Sequence, residues 1–240
     1  IQFRFLQDSV TSDEIIQIIQ KVIKWEIEYA EFCFDSKYEE SVLYYLLTID
    51  RRIGNIVVKI FDSPEKKVFM YDKMNVIKTD GKISELKCGS FTLNENVEHF
   101  CESQNHNTCL NRKLCIDKDG YIKNCPYMKH HYGHISNTNI EDVVNLPEFQ
   151  KWWYIKKDDI DICKDCEFRH MCTDCRAFIK DPENIYSQPA KCTYNPYICK
   201  WEGEEGYVPV EECGTYSRET GFVPDKKKIK KLNKQIWGDE

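Results

Sequence analysis

The segment CKDCEFRHMCTDC, from Cys163 to Cys175, decides how this chain is organised. It holds two Cys-x2-Cys pairs with five residues between them. In such a pair the two-residue spacer turns the backbone so that both sulfur atoms can point at one metal site. Paired cysteines of this kind are typical of zinc and iron–sulfur proteins. We therefore expect the segment to bind metal.

Further cysteines extend the pattern on both sides. Three precede the pairs and one follows them: Cys109, Cys115, Cys125 and Cys192. Eight thiols suit two sites of four ligands each, either two tetrahedral zinc ions or two cubane iron–sulfur clusters. Residues 117–125 predict a β-hairpin with Gly120 in the turn and Cys125 delivered by the returning strand. The spacing by itself leaves zinc and iron–sulfur open.

Composition limits the classes of protein to be considered. The chain has 240 residues, 41% of them hydrophobic, 13 cysteines and a formal net charge of −6. A negative chain is a poor candidate for nonspecific nucleic-acid binding, and cationic peptides are more natural partners. There is no apolar run of about eighteen residues, and Ile1–Gln7 does not read as a secretion signal. We therefore expect a cytoplasmic protein with no membrane span, in which reduced cysteines bind metal instead of forming disulfides.

The first third of the sequence alternates strands and helices. Strands are predicted over residues 1–7, 27–34 and 55–61. Thr11-x-x-Glu14 has the form of a capping box before a helix with apolar residues at helical spacing, and Ser36-x-x-Glu39 is expected to open a second helix. Such alternation predicts a parallel α/β sheet, either doubly wound or part of a barrel.

Beyond Pro64 the pattern changes. Residues 67–71, 74–78 and 83–87 predict short antiparallel strands, and a domain boundary is expected near residue 90. The next segment is polar and cysteine-rich, so that bound metal is expected to supply part of its order. Within it, Asn139–Tyr154 predicts two helices, the second beginning at Pro147. Lys226–Lys234 predicts a solvated helix face.

The order Cys109-x10-Gly120-x4-Cys125, then the two pairs and Cys192, resembles the SPASM domain, the C-terminal module of radical S-adenosylmethionine enzymes that modify peptides. Residues 133–149, which include Gly133-His-Ile135 and Pro147-Glu-Phe149, resemble the same family, and the likeness covers about residues 100–200. One difference is that the family usually has three residues between the last two paired cysteines, where this chain has two.

The resemblance implies two auxiliary [4Fe–4S] clusters. By position, one would be held by Cys109, Cys115, Cys125 and Cys175. The other would be held by Cys163, Cys166, Cys172 and Cys192. It also implies a fold in which a partial (β/α) barrel fragment over residues 1–90 precedes a SPASM domain with short hairpins and helices over residues 91–205. Residues 206–240 are then expected to form a C-terminal tail.

The chain has no Cys-x3-Cys-x2-Cys motif, so it shows no site for the cluster that cleaves S-adenosylmethionine. Within this family, the chain could then be one of two kinds of protein. One is the C-terminal part of a radical peptide maturase whose missing N-terminal residues would supply that cluster and its S-adenosylmethionine. The other, which we favour, is a SPASM partner of an ATP-grasp peptide ligase that binds a ribosomally made precursor peptide. A zinc-stabilised interaction module remains the alternative outside this family, and the sequence leaves open whether the chain is an enzyme.

Other candidate residues have structural interpretations. Cys101 and Cys199 are the best substitutes if one ligand is misassigned, whereas the remaining cysteines are expected to be buried or incidental: Cys33, Cys88 and Cys213. The histidines at positions 130, 131 and 134 could bind metal, but no carboxylate partner is fixed by spacing. Asp174 and the other aspartates near the paired cysteines are expected to tune solvation. Catalytic residues cannot be assigned.

Overall fold

The computed structural model describes residues 1–5, 10–24, 29–48, 55–71, 74–82 and 93–238. The chain divides into two compact units, Ile1–Gly89 and Ser90–Glu240. Among the helices in these ranges, none combines the length and apolar character that a membrane span requires.

The first unit is a mixed α/β structure around one sheet. Its strands are β1 (Gln2–Arg4), β2 (Tyr29–Asp35), β3 (Asn55–Phe61), β4 (Lys67–Tyr71) and β5 (Met74–Lys78). They lie in the order β1-β2-β3-β5-β4, and β1, β2, β3 and β5 pair in parallel while β4 is antiparallel to β5. The predicted parallel α/β sheet is therefore confirmed, and the strand predicted over residues 55–61 is confirmed at both ends.

Two helices connect the parallel strands. Helix α1 (Ser12–Ile23) begins with the predicted capping box: Thr11 accepts a hydrogen bond from the Glu14 backbone N–H, and the Glu14 carboxylate accepts one from the Thr11 backbone N–H. Helix α2 (Glu39–Thr48) follows a 3-10 turn over residues 36–38. The turn is capped by Asp35, whose carboxylate accepts from the Lys37 N–H, and not by Ser36 as the pattern predicted.

Both helices pack on one face of the sheet. The period of two along β2 and β3 places alternate apolar residues against the helices, and these side chains are buried: Ala30, Phe32, Phe34, Ile56, Val58 and Ile60. Helix α1 contributes Ile15, Ile19 and Val22 to the same core. The intervening strand positions carry Glu31, Cys33 and Lys59, and Lys59 forms an ion pair with Glu31 at 2.8 Å.

One strand pairs differently from the prediction. Residues 74–78 were expected in an all-antiparallel group, but β5 lies between β3 and β4 and runs parallel to β3. The reason is burial: β5 buries Met74 and Val76 in the core, whereas β4 is mostly exposed and suits the sheet edge. The strand predicted over residues 83–87 lies outside the described residues.

The second unit is built from short elements joined by turns. They are α3 (Val97–Ser103), β6 (Cys115–Ile116), β7 (Ile122–Lys123), α4 (Ile140–Val144), α5 (Pro147–Tyr154), β8 (Tyr194–Asn195), β9 (Lys200–Trp201), β10 (Gly214–Ser217), β11 (Gly221–Pro224) and α6 (Lys226–Trp237). The pairs β6–β7, β8–β9 and β10–β11 are antiparallel hairpins. The two predicted helices within residues 139–154 are confirmed, with Pro147 in the first turn of the second.

The apolar residues of the second unit form three small clusters. One joins Ile122, Val143 and Phe149, and a second joins Ile155, Ile160 and Cys163. The third includes Ile162, Ile198, Val210, Cys213 and Phe222, and Ile229, Leu232 and Ile236 of α6 pack against it. Residues 206–238, expected as a tail, therefore contribute a hairpin and a helix to this unit, while the lysines of α6 face solvent.

Candidate metal centre

Four of the predicted ligands surround one cavity in the second unit. They are Cys163, Cys166, Cys172 and Cys192, and the cavity is also lined by Lys157, Ile162, Phe168, Arg169, Gln188, Tyr194 and Pro196. Cys192 is brought from a separate loop, 17 positions after Cys175. A cavity bordered by four thiols and closed by apolar and aromatic side chains is a suitable environment for an iron–sulfur cluster.

A tight turn presents the first pair of cysteines to this cavity. Residues 163–165 form a 3-10 turn closed by a hydrogen bond from the Cys166 N–H to the Cys163 carbonyl, at 3.0 Å. Ile162, just before it, has φ of 69°, a left-handed conformation that costs a β-branched residue about 1–3 kcal/mol. Packing of its side chain in the cluster with Ile198 and Phe222 holds this conformation. The backbone therefore reverses at the point where Cys163 enters the cavity.

Burial governs the chemistry of these thiols. It raises the pKa of Cys163 and of Cys166 to about 12, and it also raises the pKa of Cys172. Without metal the three thiols are therefore neutral at physiological pH. A metal centre binds the thiolate form, so its binding must displace these protons and supply the compensating positive charge.

A buried lysine lies against the same thiols. The side chain of Lys157 is only 4% exposed, and its Nζ donates a hydrogen bond to Cys163 Sγ at 3.8 Å. The ammonium also pairs with Asp174 at 3.1 Å. Burial would lower the pKa of Lys157, but the charge of Cys163, once that thiol is ionised, and the charge of Asp174 keep the pKa above its ordinary value. Lys157 is therefore a fixed positive charge at the wall of the cavity.

Asp174 is the centre of a fully buried polar network. It lies between Cys172 and Cys175 in sequence, and its side chain is 1% exposed. Burial would raise its pKa, but Lys157 and Arg176 hold the pKa below its usual range. Arg176 donates from Nη2 to Asp174 at 2.9 Å, and its Nη1 donates to two backbone carbonyls. The expected solvation role of Asp174 is wrong, because this carboxylate is excluded from water.

Asn107 connects that network to the loop that carries Cys109. Its Nδ2 donates to Asp174 at 2.7 Å and to the Ile155 carbonyl at 2.8 Å. Its Oδ1 accepts from the backbone N–H groups of Cys109 and Leu110. All four hydrogen-bonding positions of the amide are thus used. The segment before Cys109 is therefore fixed beside the segment before Cys175.

The other predicted ligand set is positioned in pairs. Cys109 and Cys175 follow the joined segments around Asn107 and Asp174. Cys115 begins β6, and its partner across the hairpin is Lys123 on β7. Lys123 precedes Cys125 by two residues, so the hairpin brings Cys115 and Cys125 to the same end. Cys125 and Cys175 are buried, whereas Cys109 and Cys115 are partly exposed. Assignment of these four thiols to one cluster stays a prediction.

The hairpin between β6 and β7 has the predicted glycine turn. Gly120 has φ of 83°, and a Cβ at this position would lie 2.4 Å from His134 Nε2. That nitrogen is 2.9 Å from the Asp119 carbonyl oxygen, and Nδ1 of the same ring is 2.7 Å from Ser136 Oγ. His134 therefore packs on the hairpin turn and fixes its shape. The His131 ring packs against Tyr121 in the same region, with the two rings tilted by 39°.

The remaining described cysteines lie elsewhere. Cys33 is buried in β2, Cys213 is buried in the cluster with Val210, and Cys101 and Cys199 are exposed. Cys88 is outside the described residues. Across the described ranges, no group of three or more Cys, His, Asp or Glu side chains is arranged to hold a single metal ion.

Sequence reasoning missed the buried polar residues around the cavity. Lys157, Asn107 and Arg176 come from three separate segments, and no local spacing marks them. The available signal was the position of Asp174, between the last two paired cysteines. That signal is weak, because Asp165 holds the same position in the first pair and is exposed, whereas Asp174 is buried.

The comparison with known proteins gives a match to a family model. The family model SPASM, described as an iron–sulfur cluster-binding domain, matches residues 108–167. Neither the curated proteins nor the solved structures include one that matches the chain. The matched residues contain five of the eight predicted ligands, from Cys109 to Cys166. The chain therefore carries a SPASM domain match, which indicates iron–sulfur cluster binding.

Proposed function

We propose that this chain is an iron–sulfur component of a peptide maturation system and binds two [4Fe–4S] clusters. One would be held by Cys163, Cys166, Cys172 and Cys192, and the other by the four remaining predicted ligands. The observation that carries the proposal is the cavity bordered by the first four thiols, beside a segment that matches SPASM. When bound, such clusters supply one-electron chemistry or structural cross-links.

Zinc is the alternative for the same thiols. Four cysteines that hold one zinc ion must each lie about 2.3 Å from a common point. Here four cysteines line one cavity, two of them within the residues that match the iron–sulfur SPASM model, and a buried lysine adds positive charge to the cavity wall. Lysine next to a cluster offsets thiolate and sulfide charge. These features favour iron–sulfur over zinc.

We further propose that the first unit is a fragment of a (β/α) barrel. Its support is the run of parallel strands with α1 and α2 on one face. The sequence has no Cys-x3-Cys-x2-Cys motif. The chain would therefore bind a precursor peptide and present it to a separate enzyme, such as an ATP-grasp ligase. Its net charge of −6 favours a cationic peptide.

Anaerobic reconstitution of the full chain tests cluster binding. We expect a brown protein with a broad absorbance band at about 400 nm. We also expect about eight irons and eight sulfides per chain, as two [4Fe–4S] clusters require. Cys166→Ala and Cys115→Ala should each remove about half of the iron, because they affect different clusters. Cys199→Ala is the matched control, since this thiol is exposed and outside both sets. A colourless protein with two zinc ions would refute the proposal.

A second assay separates a partner protein from a radical enzyme. The reconstituted chain is incubated with S-adenosylmethionine and dithionite, and 5′-deoxyadenosine is measured by mass spectrometry. We expect no product above the level of a cluster-free control. Product formation would instead support the alternative in which the chain belongs to an active radical enzyme.

A further inference from the structure

A buried cation lies at the wall of the cavity. Lys157 is almost completely buried, and its ammonium contacts both Cys163 Sγ and the Asp174 carboxylate. Placing a lysine charge in such a site is costly unless other charges compensate it. Asp174 already has Arg176 and Asn107 as partners. The ammonium of Lys157 therefore lies between the Asp174 carboxylate and the Cys163 thiol, and it faces the cavity on the thiol side.

The charges of this network do not cancel. Lys157 and Arg176 contribute two positive charges and Asp174 one negative charge, which leaves one net positive charge excluded from water. Interactions with such a charge are much stronger than at the surface, because little solvent screens them. Hydrogen bonds to cluster sulfurs and nearby net charge are the factors by which proteins set iron–sulfur potentials.

We propose that Lys157 sets the reduction potential of the cluster held by Cys163, Cys166, Cys172 and Cys192, by fixing a water-excluded positive charge against its thiolates. The inference rests on the proposed function. Reduction adds one electron, and hence one negative charge, to the cluster. The ammonium stabilises the reduced form more than the oxidised form and raises the potential. Lys157 is thus a positioning residue for charge and not a ligand.

The test is a redox titration of the reconstituted full chain, monitored by electron paramagnetic resonance. Lys157→Met removes the charge and should shift the oxidised-to-reduced ratio of one cluster at least about tenfold, which corresponds to a potential about 59 mV lower. Lys157→Arg keeps the charge and should leave the potential close to that of the wild type. The control is Lys164→Met: this lysine is adjacent to Cys163 in sequence, but 39% exposed and paired with Asp161 at 3.5 Å. It should change nothing measurable.

A second variant gives a shift of opposite sign. Asp174→Asn removes the negative charge between Lys157 and Arg176 and should raise the potential of the same cluster. This variant decides the question if Lys157→Met fails to retain its cluster. A purely structural role for the network would not produce opposite shifts from the two substitutions.

The outcomes are distinct. An unchanged potential in Lys157→Met, an equal shift in Lys157→Arg, or a potential that does not rise in Asp174→Asn would overturn the inference while the wild type still binds two clusters. A wild-type chain that takes up no iron would refute the proposed function and this inference with it. Opposite shifts from the charge-removing variants at full iron content would support both.

Discussion

Replacement of Asn107 by leucine is expected to destabilise the second unit strongly. Asn107 is fully buried, and its amide makes four hydrogen bonds. Leucine has a similar volume but no polar atoms. The substitution would leave the N–H groups of Cys109 and Leu110 and the carbonyl of Ile155 without these partners, and Asp174 would lose one donor. Each such loss costs about 1 kcal/mol, so the sum is about 4 kcal/mol.

Urea unfolding of the reconstituted chain measures this loss. Four of the five tryptophans, all except Trp25, belong to the second unit, so tryptophan fluorescence mainly follows its unfolding. With a slope of about 2 kcal/mol per molar urea, Asn107→Leu should lower the midpoint by about 2 M. Asn111→Ala is the control, since Asn111 donates one side-chain bond, to Glu102, and its loss should cost about 1 kcal/mol.

The result that would refute this reasoning is a small shift. If Asn107→Leu lowers the midpoint no more than Asn111→Ala does, the amide is not holding the loop of Cys109 against Asp174. Iron content gives an independent reading. Because Asn107 fixes the segments before Cys109 and Cys175, the leucine variant should also lose iron from the cluster to which we assign those two cysteines.

Three further predictions concern other parts of the fold. Gly221→Ala should destabilise the β10–β11 hairpin by about 2 kcal/mol in urea unfolding, because φ is 67° and a Cβ would lie 2.4 Å from the Asp161 carboxylate. Lys59→Met should destabilise the first unit by about 1 kcal/mol at neutral pH, measured by hydrogen exchange of its strands, because the buried Glu31 loses its ion-pair partner. Phe149→Ala should cost about 4 kcal/mol by leaving a cavity, again measured in urea.

Each of these has a matched control. Gly203 also has a positive φ, 91°, but a Cβ added there would have no atom within 4 Å. Gly203→Ala therefore tests the cost of backbone strain without a steric clash like that with Asp161. Lys66→Met removes an exposed ion pair with Asp80 and should have almost no effect. Leu146→Ala shortens a side chain that is 39% exposed and should cost much less than Phe149→Ala. Equal effects in any variant and its control would contradict the stated cause.

The Lys59 variant also has a pH signature. Burial would raise the pKa of Glu31, but hydrogen bonds from Lys59 and Gln2 and the Lys59 charge hold it below its ordinary value. A lowered folded-state pKa contributes stability above the unfolded pKa, and that stability is lost as pH falls through the folded pKa. The stability difference between wild type and Lys59→Met should therefore be largest at neutral pH and shrink in acid. A difference that stays constant with pH would contradict this explanation.

Local sequence patterns predicted the local elements of the fold. The capping box at Thr11 and Glu14, the strand over residues 55–61 and the helix that begins at Pro147 were all predictable because each depends on residues a few positions apart. The hairpin with Gly120 belongs to the same group, since only the turn needs a positive φ. The sequence predicted that residues 74–78 form a strand but not which strand they pair with. Their parallel pairing with β3 depends on contacts between segments that are far apart in the sequence, and local patterns do not encode such contacts.

The candidate site divides in the same way. The sequence by itself predicted that Cys163 and Cys166 lie on a tight turn that suits metal binding, because two intervening residues allow the backbone to reverse, and the 3-10 turn over residues 163–165 confirms the turn. The family resemblance placed Cys192 with them, and the cavity that Cys192 helps to line agrees with this. Only the tertiary structure decided that Lys157 and Asp174 form a charged wall beside them. A charged side chain can be buried without a large free-energy cost only if an opposite charge lies next to it. Here the opposite charges come from distant segments of the sequence, so their meeting depends on how the whole unit packs.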